Sequence, residues 1–180
     1  MEAMSLKSNF ELMAEYNRWM NESIYLAASK LCIDQLSEDR GAFFGSIIGT
    51  LNHILVADII WLKRFANHPT LFKSLNDIRK LETPTTLNAV LYPELEKLAN
   101  ARIEMDSTIQ DFVNELTGDI LLSTLSYNNT KGEPFTKNMG HLIQHFLNHQ
   151  THHRGQVSTL LAQAGVDIGV TDLLVSIPDE

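Results

Sequence analysis

The stretch that most restricts how this chain can fold is a long helical pattern near its end, because the stripe that should face a core is partly imidazole. At about 100° per residue, Leu142, His145, Phe146, His149, His153, Gln156 and Leu160 all fall within about 60° of one direction. An apolar face carrying several histidines either loses hydrogen bonds on burial or gives those rings a shared partner. His149 and His153 stand one turn apart, one above the other. Two imidazoles so placed can hold one transition-metal ion at about 2.0–2.1 Å per nitrogen. A pair alone binds weakly, so another element must bring a third ligand. His53, inside an earlier apolar helical pattern, is the candidate. The competing readings are a hydrogen-bonded histidine cluster and, for His53 by itself, a core imidazole donating to a carbonyl.

Three neutral nitrogens from two helices would leave positions for water or substrate, which is how catalytic zinc sites differ from structural ones. Such ligation suits a divalent Zn, Ni, Cu or Fe ion, with Zn or Ni the first expectations. His145 and Gln156 are placed to orient a ligand from behind, to line the pocket, or to serve as a fourth ligand. His152 and His141 point toward the rim. Gln150 occupies the place where a zinc protease of the H-E-x-x-H type carries its general-base Glu, so that hydrolytic mechanism lacks its proton acceptor.

The remaining helical patterns supply the rest of the core. With 180 residues, 44% hydrophobic and 20% charged, the chain suits one domain over 1–180. A first helix over Ser8–Leu31 places Phe10, Met13, Met20, Ile24, Ala28 and Leu31 on one stripe, with Asn17 and Asn21 in its middle. Those amides need partners: either another helix's backbone, or a polar pocket or metal ligand that they line or orient. Leu12, Trp19 and Leu26 form a second stripe, which suits a homodimer seam or the seat of a covering loop. A second helix over Ala42–Phe65 surrounds His53 with Ser46, Gly49, Thr50, Val56, Ala57, Ile60 and Trp61, the small Gly49 and Ala57 leaving room beside the ring. A third starts near Pro93 and carries Leu95, Leu98, Met105, Ile109, Phe112 and Leu116. Arg102, on the same stripe, either pairs with Asp106 or binds an anionic part of a substrate. Over 117–137, short apolar runs between turn residues suit a small hairpin or an irregular lid. The fourth helix, Asn138–Ala164, should end at Gly165, and the tail should cross the helices as extended chain.

Fourteen Lys and Arg against twenty-two Asp and Glu give a net charge of −8, which opposes non-specific attraction to nucleic acid or an anionic membrane. The opening residues lack the apolar stretch of a signal peptide, and no apolar run approaches the roughly 18 residues that span a bilayer. A cytoplasmic location is expected. Cys32 is the only cysteine, which excludes an intrachain disulfide, and its place at a helix end suggests a small buried hydrophobe.

Three runs together resemble one family. Asn148-His149-Gln150-Thr151-His152-His153-Arg154-Gly155-Gln156, then Thr50-Leu51-Asn52-His53 with Ala57-Asp58 and Trp61, and Tyr16-Asn17-Arg18-Trp19-Met20-Asn21 are similar to the DinB-like (DinB/YfiT) metalloproteins, as is Gln163-Ala164-Gly165-Val166-Asp167. The resemblance implies an all-α four-helix bundle, commonly a homodimer, with a divalent metal held by His53, His149 and His153. The family's name refers to DNA-damage induction, but the charge of −8 speaks against a DNA enzyme. Characterised relatives include metal-dependent thiol transferases and a thiol-dependent isomerase, and nothing in the motifs identifies a substrate. Three functions are therefore expected in turn. The first is metal-dependent transfer involving a low-molecular-weight thiol, the second is hydrolysis by metal-activated water with His145 as base, and the third is a non-catalytic, stress-associated metal-binding protein.

Overall fold

The computed structural model describes residues 5–179, mostly helical with one two-stranded antiparallel sheet. Ser5 opens α1 (Leu6–Ala28) by accepting the Ser8 N–H at 3.1 Å, which satisfies one of the donors that a helix start leaves unpaired. Phe10, Met20, Ile24 and Ala28 of the expected stripe are buried, and so are Asn17 and Asn21. The helix stops three residues short of Leu31. Cys32 therefore lies outside it, exposed, as the residue that opens a short α2 (Ile33–Ser37), its N–H donating to the Gln35 side chain at 3.0 Å. The expectation of a buried thiol is corrected by that early termination.

The second long helix also starts later than its apolar pattern suggests. Gly41 and Gly45 both take left-handed backbone angles, φ 69° and 73°, so 41–45 forms a tight loop. Ser46 then caps α3 (Ile47–Phe65), accepting the Gly49 N–H at 3.1 Å. Two short helical turns follow, α4 (Asn76–Lys80) before the third long helix, α5 (Leu95–Asn114), and α6 (Gly118–Leu122) after it. The segment after α6 is the expected hairpin and not an irregular lid. Strands β1 (Thr124–Asn128) and β2 (Pro134–Asn138) pair antiparallel, Thr124 facing Asn138 and Asn128 facing Pro134. Asn138 ends β2 and caps α7 (Met139–Gln163), which stops before Gly165 at φ 80°.

The long helices pack side to side, α1 against α5 and α7, and α3 against α7 and α5. Between them Phe65 stacks on Phe112 at 5.3 Å, and Phe72 and Phe146 meet these rings edge-on. The tail crosses α1 and adds a 3-10 turn at Leu173–Ser176, with Tyr16 Oη donating to the Thr171 carbonyl at 2.5 Å. Leu12 and Trp19 are half-buried beneath that neighbourhood, whereas Leu26 is 70% exposed, so a covering segment accounts for part of the second stripe. Among the described residues no helix is long and apolar enough to cross a membrane.

A charged cluster also lies inside. Arg102 pairs with Asp58 and, at 2.9 Å, with Asp106, as its one-turn spacing to Asp106 suggests. Asn21 donates to both Asp106 oxygens at 2.9 and 3.1 Å, Asn17 donates to Asp106 at 3.0 Å, and Arg154 donates to the Asn17 carbonyl. Two carboxylates and two guanidiniums thus meet in one place with side chains from α1, α3, α5 and α7.

Candidate metal centre

α3 and α7 lie side by side, and each presents imidazole to the other. His53 comes from α3; His149 and His153 come from successive turns of α7. His53 and His153 are buried and His149 is half-buried. Nε2 of His153 lies 3.2 Å from Nε2 of His53 and 3.1 Å from Nε2 of His149, and one ligand nitrogen from each ring falls within 4.8 Å of the others.

The neighbours of these rings decide what the facing nitrogens carry. Nδ1 of His53 lies 2.8 Å from the Leu87 carbonyl, which can only accept, so Nδ1 holds the proton and Nε2 is left with a lone pair. Nδ1 of His153 lies 2.7 Å from Oε1 of Gln156, with the same result. Two lone pairs therefore point at each other across 3.2 Å. A bridging proton is no remedy near neutral pH. Burial pushes His53 down to about 4 against the pull of the Leu87 carbonyl, and pushes His149 down to about 3 with help from His153 and His53. His153 moves in the same direction, again through burial. A cation shared by the lone pairs removes the conflict. Nitrogens bound to a tetrahedral ion at about 2.0–2.1 Å stand about 3.3 Å apart, close to the spacing found, so the residues present fit a divalent metal.

The loop before α3 closes one side. Phe44 stacks on His53 with centroids 3.6 Å apart and planes 15° apart, and meets His153 edge-on at 5.6 Å. Gly49 serves this approach and does not simply leave room beside His53, because a Cβ there would lie 2.2 Å from the Phe44 carbonyl oxygen. On the other side opens a cavity of about 370 Å³ reached by His53, His149, His145, Trp61, Arg64, Leu87, Tyr127 and Lys137. Asn52, fully buried next to His53, clamps the neighbouring connection. Its amide donates to the Tyr92 carbonyl at 2.9 Å, and its carbonyl accepts the Tyr92 N–H at 2.9 Å.

The other expected site residues divide. Gln156 lies against His153, its Oε1 2.7 Å from Nδ1. His145 lines the cavity, edge-on to Trp61 at 5.1 Å and 6.1 Å from His149 between ring centres, but is outside the three-nitrogen cluster. Asn17 and Asn21 are not among the residues that line this cavity and bond to none of the three histidines; they are engaged by Asp106 and Arg154, because their stripe on α1 faces α5 and α7. Their partners are side chains and not helix backbone. Gln150 is fully buried and reaches neither the cluster nor the cavity. Sequence reasoning misses Phe44, the Leu87 carbonyl, Arg64, Tyr127 and Lys137. Only the aromatic doublet Phe43-Phe44 between two glycines carried a local signal.

The family described as the DinB family matches residues 4–178. The chain is 25% identical over 158 residues to the protein named "Protein DinB" of Bacillus subtilis (strain 168), a similarity covering 88% of this chain and 87% of the relative. No solved structure matches the chain significantly.

Proposed function

The chain belongs to the DinB family, and from that premise we propose that it is a single-domain four-helix bundle in which His53, His149 and His153 hold a divalent ion, Zn or Ni first, for metal-dependent chemistry on small molecules. The observation that carries the reading is the pair of opposed imidazole lone pairs 3.2 Å apart, each fixed by a hydrogen bond at the far nitrogen.

An ion bound there supplies Lewis acidity, which lowers the pKa of a thiol or of water. Thiol transfer with a low-molecular-weight thiol is the preferred reaction class. In it the Leu87 carbonyl and Gln156 hold His53 and His153 in their ligating form, Phe44 excludes water from one side, and the cavity on the other admits the substrate. A second reading, hydrolysis, has support from His145. This imidazole faces the same cavity, and burial and the Arg64 charge lower its pKa, so it is available to accept a proton at neutral pH.

Replacing His149 or His153 by Ala is expected to abolish the one equivalent of metal bound per wild-type chain while helical content by circular dichroism is retained. A full equivalent in both variants by elemental analysis rejects the centre. Turnover of an electrophile with thiol and none with water alone supports transfer; the reverse selects hydrolysis.

A further inference from the structure

The cavity beside the histidines adjoins a second one of about 670 Å³, and no Asp or Glu lines either. In a chain with net charge −8 this is a local reversal of sign. Arg64 lines both cavities, its guanidinium 4.5 Å from the centre of the Trp61 ring and 4.9 Å from that of Tyr127. The helix end and the two π-faces account for a cation there, but not for its planar fork of N–H donors. Among the described residues that fork meets no carboxylate or carbonyl. Lys137, on β2 across the first cavity, likewise has no acidic partner among the described residues. The other cations nearby differ. Arg79 donates to the Ala66 and Phe72 carbonyls, and Lys63 to those of Arg79 and Leu81.

We propose that this cavity binds a small organic anion, its carboxylate on Arg64 and Lys137 and its flat apolar body against Trp61 and Tyr127, with the rest of the molecule directed toward His149. A carboxylate matches the guanidinium fork with two parallel hydrogen bonds, and a conjugated body matches the aromatic walls. The proposal deepens the reading above and rests on it for what the bound anion meets at the histidines.

Benzoate and its neutral isostere benzamide, titrated calorimetrically into the zinc-loaded full chain and into the same chain after chelation, provide the test. Benzoate is expected to bind both forms at least about tenfold more tightly than benzamide. Arg64→Gln should weaken benzoate at least about tenfold in both forms and leave benzamide unchanged. Lys137→Gln, at an exposed strand position, carries the same comparison if Arg64→Gln fails to fold. Absent benzoate binding, equal affinity for benzamide, or benzoate binding undiminished in the variants overturns the assignment. Zinc uptake by wild-type protein separates the two readings. One equivalent of zinc without benzoate binding defeats only the anion site, whereas Arg64-dependent benzoate binding without zinc uptake defeats only the metal centre.

Discussion

At Gly49 two local preferences oppose one another. Alanine is the better helix former by about 1 kcal/mol, yet its Cβ would lie 2.2 Å from the Phe44 carbonyl oxygen, a backbone atom held by the tight loop. Overpacking of this kind costs about 1–3 kcal/mol, so the clash wins. Gly49→Ala is expected to lower stability in urea unfolding and to weaken metal binding by moving Phe44 off His53. The imidazoles themselves set an acid limit. His53 and His149 are held to about 4 and 3 in the folded chain, below the usual value near 6.5 that they regain on unfolding. Below pH 6.5 the unfolded chain takes up protons that the folded one refuses. Their contribution is therefore fully present above pH 6.5 and is lost as pH falls toward 4 and then 3, by about 1–2 kcal/mol after solvent screening. Thermal midpoints of metal-free protein between pH 7.5 and 4 should fall over that window, and His53→Ala should flatten the fall.

The connection between α4 and α5 has no regular structure, yet it sets the proton on His53 through Leu87 and is clamped to α3 by Asn52. Asn52→Ala removes both clamp bonds and leaves Tyr92 backbone groups unpaired, at about 1–3 kcal/mol. It is expected to speed amide exchange over 81–94 and to weaken metal binding about tenfold or more, without altering a ligand. This coupling also explains what could be read in advance. His149 and His153 are legible because helical spacing alone puts them on one face, and His53 because it interrupts an apolar stripe. The hairpin is legible from its turn residues. Leu87 contributes a carbonyl, which every residue has, so no side-chain pattern marks it. Phe44 is hidden for a different reason: two glycines outweigh an apolar run that otherwise extends the helix back to Ala42. Arg64 reads as an ordinary cation at a helix end until β1 and β2 fold over it.

Across the whole molecule, the cluster of Asp58, Arg102, Asp106 and Arg154, joined by Asn17 and Asn21 of α1, ties the four long helices to one buried point. Its members balance in charge only together. Burial pushes the Asp58 carboxyl up to about 6 even with Arg102 beside it, the largest influence holding it down. Arg102→Leu leaves two carboxylates facing each other in the interior and is expected to cost about 3–5 kcal/mol in chemical denaturation. Asn17 and Asn21 bond to this cluster, a partner that spacing along α1 could not identify, since spacing fixes which residues share a face and not what that face meets. The tail closes the molecule at its far side. Ser8 of α1 and Pro178 line one groove, and Tyr16 holds Thr171. Within the described residues the last turn of the chain thus lies beside its first helix. Linking the tail at this groove to the start of α1 with a few residues, and opening the chain instead at the hairpin tip near Gly132, would permute the described residues with every long helix uninterrupted.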